Sequence, residues 1–238
     1  MNVYWSIFNE TMIPDIDFYE PENVYLGLLK NKQHSSKNGK SFQYMNCPAF
    51  KDLLNNTYSI KFPIDYNLNY SYNQGKIFLN SDRYCQEFFN RYIRVRSIED
   101  KLISIMNRYV FFSEEKLEMM QSSCHFHYND FTKSNTIIPG KFNIGNWIRP
   151  VEIAAISNEN DSIIMKKGDE GCYITFLTEK KVNLIKFKID EKMMSLVNNN
   201  LRSQNYNKFY NLQKWYEKFR MSKQKNYILK EIKNNLME

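Results

Sequence analysis

The chain has 238 residues, 42% of them hydrophobic, with 17 Tyr and 17 Phe, and a formal charge of +7 at neutral pH. That apolar content excludes disorder as the main state, and the length suits one large domain or a main domain with a small appendage. No apolar run approaches the ~20 residues of a membrane-spanning helix, and the opening MNVYWSIFNE lacks the basic start of a secretory signal, so we expect a soluble, cytoplasmic protein with no membrane partner.

Residues 3–8 (VYWSIF) read as an opening strand and 24–29 (VYLGLL) as a second, with helix the competing assignment for such short runs. Residues 31–41 contain no apolar side chain and read as a solvated, mobile loop. Pro48 at a helix start, with Phe50, Leu53 and Leu54 on one side, predicts a short helix over 48–55. Alternation over 57–80 around Asn73-Gln74-Gly75 predicts a hairpin. Ile93 and Val95 alternate with Arg94 and Arg96, as in a strand with one buried and one wet face, and 103–113 continues the pattern. The SSCHFHYND segment reads as loop. From 137 to 189 short strands recur between Gly, Pro, Asn and Asp turns, which predicts antiparallel sheet.

After Asp190 the period changes. Asp190 is placed to cap a helix over 190–198, the Asn triplet at 198–200 reads as a break, and Phe209, Leu212, Trp215 and Phe219 follow at helical spacing. Ile228, Ile232 and Leu236 suggest a further helix. Residues 201–238 carry nine Lys or Arg against three acids, leaving six of the seven formal positive charges there. The expected fold is therefore α+β and mainly β: an antiparallel β-sandwich or jelly-roll-like domain over 1–189, with a basic helical tail over 190–238 packed on it.

Cys47, Cys85, Cys124 and Cys172 are far apart and form no CxxC pair, which predicts reduced thiols rather than zinc ligands or disulfides. In a strand, His125 and His127 would share a face and could share a metal, as in the HxH half-site of a cupin, with Asp130 the only nearby acid and His34 in a polar loop. Loop-packing histidines are the commoner outcome for such a pair. Gly168-Asp169 reads as plain turn chemistry. In WIRP, Trp147 and Arg149 would project from one face of a strand and build a stacking or carboxylate-binding surface, although such a Trp is more often core with the Arg covering it. Lys214 and Lys218, interleaved with aromatics, are candidate phosphate contacts on the tail, which the stripe itself would dock on the β domain. No nucleophile has a diagnostic context, so no catalytic residue and no cofactor are expected.

CPAFKDLLNNTYSIKFPIDYNL, IPGKFNIGNWIRPVE and IIMKKGDEGCYITFLTEKKV together resemble an uncharacterised protein family of tailed phages of marine bacteria, itself remotely similar to a bacterial domain of unknown function. The resemblance spans Cys47 to Leu184. Its Cys-Pro helix, Trp-x-x-Pro strand and Gly-Asp turn transfer Cys47, Pro48, Gly140, Trp147, Arg149, Pro150, Gly168 and Asp169 as markers of fold, not of activity. The resemblance implies a viral protein in the host cytoplasm or the virion, with other virion or host proteins as partners. The expected function is thus a non-enzymatic accessory, virion or binding protein. The alternatives are a cupin-like metal-dependent enzyme using His125 and His127, and a nucleic-acid-binding protein acting through the tail.

Overall fold

In chain order the computed structural model contains β1 (Asn2–Ile7), β2 (Glu22–Asn23), α1 (Val24–Ser35), α2 (Pro48–Leu54), β3 (Thr57–Lys61), β4 (Tyr66–Asn73) and β5 (Lys76–Asn80). There follow α3 (Arg83–Tyr92), β6 (Ile93–Ser97), β7 (Leu102–Ser113), β8 (Glu118–Ser122), α4 (Asp130–Ser134), β9 (Asn135–Ile137) and β10 (Gly140–Asn143). The chain ends with β11 (Pro150–Ser157), β12 (Ser162–Met165), β13 (Glu170–Phe176), β14 (Asn183–Lys186), α5 (Glu191–Tyr206), α6 (Leu212–Met221) and α7 (Gln224–Asn234). The structure describes residues 1–8, 16, 18–35, 43–73, 76–80, 83–157, 162–206 and 211–237. It is an α+β fold with more strand than helix.

The long strand β7 is the spine of the first sheet, ordered β14-β1-β7-β11-β9, with β6 also paired to β7. A bulge lies between the Pro150↔Val110 and Glu152↔Met106 pairs. Within this irregularity Arg108 takes a positive φ of 65°, a conformation that a non-glycine residue holds only where packing enforces it. Its buried guanidinium lies 4.9 Å from the Tyr92 ring centroid. The second sheet runs β10-β8-β13-β3-β2 and the third β12-β4-β5. All pairs formed within residues 57–189 are antiparallel, as the alternation predicts. The exception to antiparallel pairing comes from outside that range, where β14 lies parallel to β1, Asn2 opposite Asn183.

Alternation along the strands divides the core. Val3, Trp5, Tyr109 and Phe111 join a cluster with Ile60, Met119, Ile174 and Phe176 from the second sheet and Leu68 and Ile163 from the third. Tyr4, Val110 and Phe112, which alternate with them, belong to a separate cluster with Met193, Val197, Phe219, Ile228 and Ile232 of the C-terminal helices. Tyr173, set between the inward Cys172 and Ile174, packs with Val24 of α1 and Leu54 of α2. Helices therefore cover faces of the sheets that would otherwise expose aromatics.

Three expectations fail for local reasons. Residues 24–29 are helix, not strand, because the Asn23 side chain accepts the Leu26 N–H at 3.1 Å and starts a helix. That helix runs on through 31–35 of the predicted loop, whose remainder lies outside the described residues. The Asn triplet does not break α5. Asp190 Oδ1 accepts the Met193 N–H at 2.8 Å as expected, but burial of Val197 and Leu201 on one face carries the helix through three weak formers. The hairpin of β4 and β5 forms as predicted, with Gln74 and Gly75 of its turn outside the described residues, as is Phe209 of the tail stripe.

Candidate ligand-binding surfaces and polar clusters

Trp147 and Arg149 do not lie on a strand. The chain leaves β10 through a turn in which Gly145 is pressed on the neighbouring backbone, so closely that a Cβ there would stand 2.0 Å from the Glu115 carbonyl oxygen. It then runs irregularly until β11 begins at Pro150. Trp147 is buried and stacks on Trp215 of α6, with ring centroids 5.9 Å apart and planes at 15°, while Tyr216 meets it edge-on. The Tyr216 hydroxyl accepts the Asn143 N–H at 2.8 Å, which fastens α6 to the end of β10. The Arg149 guanidinium lies 5.5 Å from the centroids of both Trp147 and Phe142. This is the arrangement of a core Trp covered by an Arg.

Lys218 Nζ lies 5.6 Å from the Trp215 centroid, and Lys214, one turn earlier, is exposed. The structure thus brings Trp147, Arg149 and Lys218 to one neighbourhood. An open cleft of about 500 Å³ lies beside them, lined by Trp147, Asn200, Trp215, Lys218, Phe219 and Met221. Among the described residues no helix is long and apolar enough to cross a membrane.

Beneath Arg149 lies Glu152, which sequence reading missed. The Ser104 hydroxyl donates to its carboxylate at 2.8 Å, Arg96 at 2.5 Å, and Arg149 stands 3.8 Å away. Burial would push this carboxyl up, but Arg149, Ser104 and Arg96 outweigh it and hold it below the ordinary value.

The histidines occupy a turn, not a strand. His127 Nδ1 is 2.5 Å from the Tyr173 hydroxyl, and Nε2 is 3.8 Å from Glu170 Oε1. His125 packs edge-on to the same Tyr173 ring, 5.3 Å between centroids. Asp130 is committed to Lys166 at 2.6 Å and Lys133 at 3.4 Å. Among the described residues no group of three or more His, Cys, Asp or Glu side chains is placed to hold a metal ion. Gly168 has φ 90°, as the Gly-Asp turn requires. Cys124 and Cys172 are buried and their thiols are pushed up by burial, Cys172 to about 12, which makes them poor nucleophiles.

Burial holds His125 and His127 below the ordinary imidazole value; at His127 Glu170 opposes this and Lys61 adds to it. A depressed folded value means that the folded state binds fewer protons than the unfolded chain. The stabilisation is then complete above about pH 6.5 and is lost as pH falls through the folded values. The carboxylates of Glu22, Glu114 and Glu152 are held below 4.5 and act only in more acid solution. We expect the melting temperature to fall between about pH 7 and about pH 5, and a His125→Gln/His127→Gln variant to lose most of that slope. An unchanged slope in the variant would exclude the histidines as its source.

Comparison with protein-family models, with curated proteins and with solved structures found no match for the chain.

Proposed function

We propose that the chain is a non-enzymatic binding protein, a virion or accessory component of a tailed phage, built as an antiparallel sandwich or jelly-roll-like body with a basic helical tail. The observation that carries this reading is the open cleft beside the Trp147–Trp215 stack, with Lys218 at its wall and the exposed Lys214 one turn away on the same helix. Cations on an exposed helix face beside an open cleft suit an acidic partner surface. The phage assignment rests on the resemblance of residues 47–184, and mass spectrometry of purified particles tests it: copies of the chain in the particle support a virion role, and enrichment only in infected-cell lysate supports an accessory one.

A second reading, nucleic-acid binding, is favoured by the excess of basic residues over 201–238. With Trp147 stacked on Trp215 and Lys218 close to that ring, base stacking has little free aromatic face, so contact would be through phosphate. Lys214→Gln/Lys218→Gln is expected to change unfolding free energy by less than about 0.5 kcal/mol while weakening polyanion binding, with a reduced salt dependence. Oligonucleotide binding that is unchanged in this variant would remove the phosphate reading of these two lysines.

A further inference from the structure

A second cleft, of about 90 Å³, shares no lining residue with the Trp147 cleft. Its walls include Glu22, Gly27, Lys30, Lys61, His127 and Glu170. β3 and β13 bring Lys61 and Glu170 opposite one another in register. β2 adds Glu22, α1 adds Gly27 and Lys30, and the turn after β8 adds His127.

The four charged residues are unequally satisfied. Glu22 takes Lys61 at 2.9 Å and Lys30 at 3.3 Å. Glu170, whose side chain is 19% exposed, has as its nearest cationic groups among the described residues His127 Nε2 and Lys61 Nζ, at 3.8 and 4.0 Å, both beyond hydrogen-bond distance. In the tautomer whose Nδ1 accepts from the Tyr173 hydroxyl, Nε2 carries the proton and faces Glu170. Among the described residues the more buried carboxylate of the cleft is thus the one short of donors, while Lys30 is 70% exposed.

Two carboxylates and two ammonium groups leave no net charge. A free cation would meet Lys30 and Lys61, and a free anion would meet Glu22 and Glu170; a dipolar molecule with both ends meets neither penalty. We propose that this cleft binds a small α-amino acid, its ammonium seated on Glu170 and its carboxylate toward Lys61 and Lys30. The volume restricts the ligand to short side chains. Gly27 keeps the wall open: a Cβ there would reach the Glu22 carboxyl at 3.7 Å, ordinary contact, whereas a longer side chain would fill the space.

The test is thermal shift and isothermal titration of the full chain with glycine, alanine and serine, with acetate and methylamine as single-charge probes. Binding of an amino acid but of neither probe is expected, weakened about tenfold or more by Glu170→Gln. Gly27→Met leaves every charge in place and improves helix propensity, so it is expected to abolish binding without lowering the melting temperature of the free protein. No binding of any of the three amino acids up to about 10 mM, binding indifferent to Gly27→Met, or equal binding of acetate alone would each overturn the proposal. None of these outcomes bears on the Trp147 cleft, whose lysine variants are read separately.

Discussion

Glu152→Ala is expected to cost about 3–5 kcal/mol of unfolding free energy, the usual penalty for breaking a buried ion pair by removing one partner. The carboxylate is 8% exposed and accepts from Ser104 and Arg96, with Arg149 3.8 Å away. Arg149 feels Arg96 and Arg94 as like charges and Glu152 as their counterweight, while burial already disfavours its cation. Deleting the carboxylate therefore leaves like charges facing one another in a partly dry site. Glu152→Gln keeps an acceptor for Ser104 and should cost less. Arg96→Ala, removing a partner that is 44% exposed, should cost no more than about 1 kcal/mol. Urea unfolding followed by circular dichroism ranks the three. A loss below about 1 kcal/mol for Glu152→Ala would mean that water, not Glu152, solvates the Arg149 guanidinium.

The same cluster shows what the sequence withholds. Ser104, Glu152 and Arg96 converge because β6 and β11 flank β7 on opposite edges, with Ser104 opposite both Arg94 and Ala154. Each strand is legible from its alternation, but which strands become neighbours is not, and the chemistry depends on the neighbours. Lys61 and Glu170 make the same point across β3 and β13: they are 109 positions apart, with no local signal joining them. Residues 137–189 were readable because a half-buried antiparallel sheet imposes a period of two on every strand. Residues 24–29 were not, because a six-residue apolar run carries no period long enough to outvote the cap at Asn23, which is itself the missed signal. α3 went unread, although Phe88 and Tyr92 stand at helical spacing, buried and stacked 4.5 Å apart. For Trp147 and Arg149 the residue types were informative and their strand assignment was not, since the close approach of Gly145 to Glu115 depends on a tertiary contact.

Trp147→Ala is expected to destabilise the protein by about 3–5 kcal/mol, more than Trp215→Ala at about 2–3 kcal/mol, because the first ring is 5% exposed and the second only half-buried. Trp147 also carries more partners. It stacks on Trp215, meets Tyr216 and supports Arg149, and it shares its cluster with Ile148, Phe112, Phe219 and Val197. The cavity left by its removal would lie between the first sheet and α5 and α6, so the loss should surface as separation of the two. Limited proteolysis provides that readout, with Trp147→Ala exposing cleavage sites in 201–238 at temperatures where the strands of the body remain intact. Phe219→Ala, at the same interface and 5% exposed, should behave alike. If both variants lose stability without new cleavage in the tail, the helices and the sheet unfold as one cooperative unit. If neither loses stability, the helices do not rest on the sheet in solution, and their aromatics are then held for a partner that orders them.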